Sequence, residues 1–308
     1  MDEEENDPTI EELWAKLDTC DEHEKPDIYI GLNVKLNIVE RYLSALAVAD
    51  AALEVETKLH EGTSHSHLGE PLFAGAYSLW CMGEWETAIE RFQGGLAHVE
   101  FDPIHEVIPR WGTLCDWLRS AERYEEAFAL KLRIQDGFRT EGNAFEVARS
   151  LEDLADWYYV AGRYTEGVTA ATEAKTIFTK FRHRLNMATS ESVLGACLSE
   201  LGEIEAGLKA TTQSWAVIQT VFGEEPSAVR NLYYLGVSEF RAGHVEAASK
   251  VLVLAKGSLD TSASMSNLDL KVAVERELSE VLKALGNEEG AIEIDRRLQD
   301  VNDFFAGL

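Results

Sequence analysis

Three histidines, His60, His65 and His67, fall within eight residues, and His-x-His is a spacing that can chelate a transition metal. Chelation needs a rigid frame and further ligands. The surrounding segment is instead a run of Gly, Ser and Thr with no cysteine and no evident rigid carboxylate. Residues 61–70 therefore read as a surface loop, and no metal is expected. Glu152, Asp153 and Asp156 could in principle share acid–base work, but in a chain with 55 acids they read as a solvated helix face. The four cysteines, Cys20, Cys81, Cys115 and Cys197, form no CxxC pair and read as small core residues rather than zinc ligands or a disulfide framework. No GxSxG, P-loop, HExxH or dinucleotide fingerprint is present. The expectation is a protein that is not an enzyme, with no catalytic residues, metal or cofactor.

Charge narrows the choice of partner. Fifty-five acids against 28 bases leave a formal net charge of −27. A generic nucleic-acid binder needs Lys and Arg to neutralise phosphates, so DNA and RNA are excluded as general partners. Anionic membrane surfaces are disfavoured for the same reason. A basic partner, or simply a well-solvated surface, fits better. No run of about 18 apolar residues exists that could span a bilayer. The start, Met1-Asp2-Glu3-Glu4-Glu5-Asn6-Asp7, is the opposite of a basic, then apolar, signal peptide, so a cytoplasmic protein is expected.

The elements that would position any site are helices. Hydrophobic residues are 45% of the chain, enough for a substantial core, and six prolines sit in a background rich in Ala, Leu and Glu. A column of small residues recurs at Ala88, Ala127, Gly167, Gly207, Ala248 and Ala291, spaced by 39 to 43 residues. Five residues before each lies a turn position: Gly83, Glu122, Gly162, Gly202, Gly243 and Gly286. Glycine is 22 of 308 residues, so five in six such slots is far beyond chance. Two residues after the turn comes Trp85, Tyr124, Tyr164, Ile204 or Val245, with Glu288 departing. Seven before it comes Ala76, Cys115, Ala155, Gly195, Gly236 or Ser279, preceded in the last five units by leucine. The pattern predicts helical hairpins closed by a left-handed residue, with small side chains where paired helices cross. One hairpin cannot cover its own apolar stripe, so the units must stack. All six prolines are expected between or ahead of the hairpins.

Segments such as Leu194-Gly195…Gly202-Glu203-Ile204-Glu205-Ala206-Gly207 and Gly83-Glu84-Trp85-Glu86-Thr87-Ala88 resemble tetratricopeptide repeats. The resemblance covers roughly residues 68–300. An eroded first unit is expected over about 27–60, with Tyr42 and Ala45 in the aromatic and small columns. The period is longer than the family's usual 34 residues and is similar to extended-helix members: kinesin light chains, Gα-binding scaffolds, and bacterial Rap- and MalT-like regulators. It implies an all-α, right-handed superhelical solenoid of about seven hairpins. The expected division is an acidic tip and short helix at 1–24, the helix over 10–19 opened by a Thr9–Glu12 capping box, then a single repeat domain at 25–308. Units are expected near 27–60, 68–100, 108–140, 146–182, 187–222, 227–258 and 268–306. Residues 257–268 are expected to form a loop, and Ile292–Phe305 a final helix closing the stack.

In this family the first helix of each pair lines a concave groove. Carried onto this chain, that implies Tyr77, Trp80, Arg119, Arg149, Asp156, Tyr159, Arg230, Tyr233 and Arg276 as partner-binding residues. Phe73, Asp116, Glu152, Thr189, Ser192, Arg241, Glu280 and Lys283 lie at related offsets. Arg, Tyr and Trp dominate binding hot spots because they combine area with directional hydrogen bonds. An acidic peptide or a partner's C-terminus is what Arg149, Arg230 and Arg276 would grip. The competing reading is that these aromatics pack between hairpins and the arginines pair with neighbouring acids. The resemblance thus implies an adaptor or scaffold holding a protein or peptide. The alternatives are a ligand- or peptide-responsive sensor, and an acidic decoy for a basic target. Homodimers would form through the apolar ends of such a stack.

Overall fold

The computed structural model describes residues 8–60, 66–99, 104–222, 228–260 and 268–306. Among the described residues there are fifteen α-helices, one short 3-10 turn at Ser66–Leu68, and no strand. A short helix, α1 (Ile10–Leu17), precedes seven antiparallel helical hairpins. Contacts group the chain into two units, Met1–Gly137 and Phe138–Leu308. Unit one holds α1, α2 (Lys25–Ile38) with α3 (Tyr42–Leu59), α4 (Gly69–Cys81) with α5 (Trp85–His98), and α6 (Ile104–Ser120) with most of α7 (Tyr124–Thr140). Unit two pairs α8 (Ala144–Val160) with α9 (Tyr164–Phe181), α10 (Arg184–Glu200) with α11 (Ile204–Phe222), α12 (Val229–Arg241) with α13 (Val245–Asp260), and α14 (Leu268–Ala284) with α15 (Glu288–Ala306).

The hairpins close as the sequence periodicity predicts. All six expected turn residues have positive φ, including Glu122 at 59°, and Glu40 (φ 59°) does the same in the first hairpin. After each, the next N–H reaches back to the helix it leaves, as in Glu84 to the Leu79 carbonyl at 3.0 Å and Arg123 to the Leu118 carbonyl at 2.8 Å. Such a bond satisfies a helix-end carbonyl that would otherwise lack a donor. The apolar residue two positions on, from Trp85 to Val245, begins the second helix of its pair.

The small columns are where backbones meet. Ala45, Ala76, Ala88, Ala127, Ala155, Ala248 and Ala291 are wholly buried. The closest approach joins α10 to α11: a Cβ added to Gly207 would lie 2.6 Å from the Gly195 carbonyl oxygen. In the eroded first hairpin the small slot holds Asn33, whose amide donates to the Ala45 carbonyl at 2.8 Å and to Ser78 Oγ at 3.0 Å. Cys115 fills the same slot in the third and points its thiol at the Ala127 carbonyl. Burial pushes the thiols of Cys115 and Cys197 up to about 12, so both stay protonated.

Several local expectations change. Pro109 lies inside α6, because that helix begins at Ile104 rather than after the proline. The ring removes an N–H from the second turn, where side-chain donors take part: Arg110 bonds the Glu106 carbonyl at 2.8 Å and Thr113 the Pro109 carbonyl at 3.2 Å. Pro71 falls in the first turn of α4 and Pro26 in that of α2, where a missing N–H has no intrahelical partner to lose. The helix α13 runs to Asp260, so residues 257–260 are helical rather than loop, and α4 starts at Gly69, inside the expected 61–70 loop. The Thr9–Glu12 capping box is present, with α1 ending at Leu17 rather than residue 19. The acidic tip at 1–7, Pro103, Pro226 and His65 lie outside the described residues.

Candidate functional site

In unit two the first helices of successive hairpins, α8, α10, α12 and α14, bring their polar residues together. Arg230 at the start of α12 reaches Asp156 on α8, and the Tyr234 hydroxyl donates to the same carboxylate. These bonds pass over α10, the first helix of the hairpin between. The cluster therefore links first helices that are two hairpins apart within unit two. The Asp156 side chain is largely buried, at 16% exposure, while Arg230 stays half open to solvent at 51%.

Aromatic rings complete the junction. Tyr159 of α8 meets Tyr234 edge-on with centroids 5.1 Å apart and Tyr233 at 6.1 Å. Burial raises the Tyr233 phenol to about 12 and holds Tyr159 and Tyr234 above their usual range, so all three remain neutral hydrogen-bonding groups. Deeper along α12, Arg241 bonds Glu200 of α10 (2.8 Å) and Glu277 of α14 (2.6 Å). Burial alone would lower the Arg241 pKa, but the bonds to Glu200 and Glu277 more than offset it and keep the cation. Glu152, one turn before Asp156, is pushed up to about 7 by burial, against the hydroxyls of Thr189 and Ser190 that favour its charge. The resulting strip alternates an accessible guanidinium, neutral phenols and a carboxyl poised near neutrality.

The sequence-derived residues fare differently. Asp156, Tyr159, Arg230 and Tyr233 are brought together, but Tyr159 is only 7% exposed and lies within the core. Tyr233 is partly buried and packs against three separate core clusters. Arg149 is exposed and paired with Glu146 on its own helix at 3.3 Å, and Arg276 is exposed on α14. In unit one, Tyr77 is half exposed on α4 and Arg119 half-buried on α6. Trp80 stacks flat on Trp117 with centroids 4.7 Å apart and so packs one hairpin against the next. Phe73 is buried against Phe92, a packing residue rather than a groove residue. Tyr234 and Glu200 escaped the sequence reading. Tyr234 had a signal, since it follows Arg230 by four residues and so shares its helical face. Glu200 had none among 55 acids.

Solved structures share this architecture. The apo form of RapI superposes with a TM-score of 0.63 at 14% identity, over 92% of this chain and 99% of that one. A Rap protein solved in complex with Competence and Sporulation Factor gives 0.54 at 14% identity, over 98% and 81%. A signal-transduction ATPase from Pyrococcus horikoshii, described as having a tetratricopeptide repeat sensor, gives 0.53 at 15% identity, over 89% of this chain and 44% of that one. No family model and no curated protein matches the sequence. The likenesses establish the fold: tetratricopeptide-like helical repeats.

Proposed function

We propose that the chain is a protein- or peptide-binding adaptor whose inner face on unit two receives an acidic segment or a C-terminal carboxylate. The observation that carries this is the Arg230–Asp156–Tyr234 cluster, in which a half-exposed guanidinium is held by a buried carboxylate two hairpins away. Asp156 occupies the position an incoming carboxylate would take. A ligand acid would exchange for Asp156 on Arg230 and gain charge-assisted hydrogen bonds there. The phenols beside it offer flat, rigid area.

The same geometry supports a second reading, a ligand-responsive sensor. Because Arg230 ties α12 to α8 across α10, displacing Asp156 would change how three hairpins are held, and a partner reading their spacing would sense it. The Rap structure solved with a bound factor and the repeat sensor of the archaeal ATPase are in keeping with it.

Screening the full chain against a library of acidic peptides with free C-termini tests the proposal. Selected peptides should lose binding to Arg230→Gln at a temperature where the variant is still folded by circular dichroism; its thermal midpoint should fall, because the largely buried Asp156 loses its cation. Equal binding to both proteins contradicts it. Tyr233→Ala is not a clean probe, because that ring packs against core clusters and its loss would lower stability.

A further inference from the structure

In unit one the last turn of α3 and the 3-10 turn before α4 place Glu56, His60 and His67 together, with one ligand-capable atom from each all within 4.8 Å of one another. Glu56 Oε2 lies 3.1 Å from His60 Nε2, and the His60 and His67 rings lie nearly parallel at 4.7 Å. The carboxylate that the sequence around the histidines lacked is supplied by α3 itself, one turn back from His60. Glu56 Oε2 is buried and has no hydrogen-bond donor, although an imidazole nitrogen is close by. A buried anionic oxygen without a donor is costly, and a shared cation would satisfy it.

We propose that Glu56, His60 and His67 form a Zn²⁺ site. Two imidazoles and one carboxylate are a donor set of borderline softness suited to Zn²⁺, with a fourth position left for water. Ligands about 2.1 Å from a tetrahedral ion sit roughly 3.4 Å apart. The Glu56–His60 pair, at 3.1 Å, is within a few tenths of an ångström of that spacing, and His67, exposed on its turn, would close the remainder by rotating its side chain. His60 is the C-cap of α3, so the ion would sit at the negative end of that helix. Bound there, it clips the end of α3 to the start of α4, the helix that carries Tyr77 and Trp80.

The test is calorimetric titration of the full chain, stripped with chelator, with Zn²⁺ in physiological salt and excess Mg²⁺ to suppress diffuse binding to the acidic surface. One saturable Zn²⁺ per chain is expected, with a rise in melting temperature on loading. Glu56→Gln, which keeps shape, and His67→Ala should each weaken binding about tenfold or more and shrink the melting shift at equal zinc concentration. Circular dichroism of the metal-free variants should match the parent. Absence of a saturable site in the parent, or unchanged binding in both variants, overturns the proposal and leaves Glu56 and His60 as a close pair without a metal.

Discussion

Replacing Gly207 by alanine adds one carbon where α10 and α11 cross. On an open helix that change is favourable by about 0.8–1 kcal/mol, because alanine loses less backbone freedom on folding. At Gly207 the new Cβ would lie 2.2 Å from Ser199 Oγ, 2.6 Å from the Gly195 carbonyl oxygen and 2.8 Å from the Ser199 backbone nitrogen. The serine hydroxyl can rotate away; the two backbone atoms cannot. Ordinary van der Waals contact begins near 3.4 Å, so the helices must separate by several tenths of an ångström along their closest line. Overpacking of this kind costs about 1–3 kcal/mol. The clash offsets or outweighs the propensity gain, for a net loss of up to about 2 kcal/mol, or a fall of up to roughly 8 °C in the unfolding midpoint of a unit this size. Gly94→Ala is the internal control, since a Cβ there meets nothing within 4 Å and the change should stabilise by up to about 1 kcal/mol. Differential scanning calorimetry of both variants reads the sign directly. If Gly207→Ala is as stabilising as Gly94→Ala, small residues are not what sets the helix crossing.

Other consequences follow from single residues. Glu122 holds φ 59° at a turn where its counterparts are glycine, so Glu122→Gly should raise stability by roughly 0.5–1 kcal/mol; a lower melting temperature would show that its side chain compensates for the strain. Glu152 titrates near 7 when folded and near 4.5 when unfolded, so between those values the folded state binds more protons and stability falls as pH rises. Glu152→Gln should flatten the melting temperature over pH 5–7.5 and exceed the parent above pH 7; a parallel pH profile would refute the burial argument.

The fold was legible because its determinants are local. A left-handed residue and a small residue five positions later recur at nearly constant spacing, and each marks a feature the backbone must have wherever the hairpin sits. The limits of that signal are also local. Nothing in the sequence marks a helix start at Ile104, so Pro109 reads as a helix boundary although the helix runs through it. Glu40 and Glu122 show that a turn position can tolerate a side chain when the flanking helices hold it, and this is why the first hairpin looked eroded. The site was less legible. Periodicity gives the face on which a residue lies, but not how far a neighbouring hairpin covers it, and so Tyr159 and Phe73 proved buried. The Arg230–Asp156 pair joins residues 74 apart, a separation no repeat spacing predicts. Glu56 and His60 are one helical turn apart, but the sequence does not show that the turn after α3 brings His67 back beside them.

The most direct test of the binding account is the affinity of Asp156→Asn for an acidic peptide selected by the parent chain. If Asp156 and the ligand compete for Arg230, removing its charge frees the guanidinium and should tighten binding about three- to tenfold, roughly 0.6–1.4 kcal/mol. Tightening should vanish when Arg230→Gln is added, because the two changes act through one pair. Affinity that is unchanged or weakened in Asp156→Asn would contradict the account and leave the cluster as a structural tie between α8 and α12.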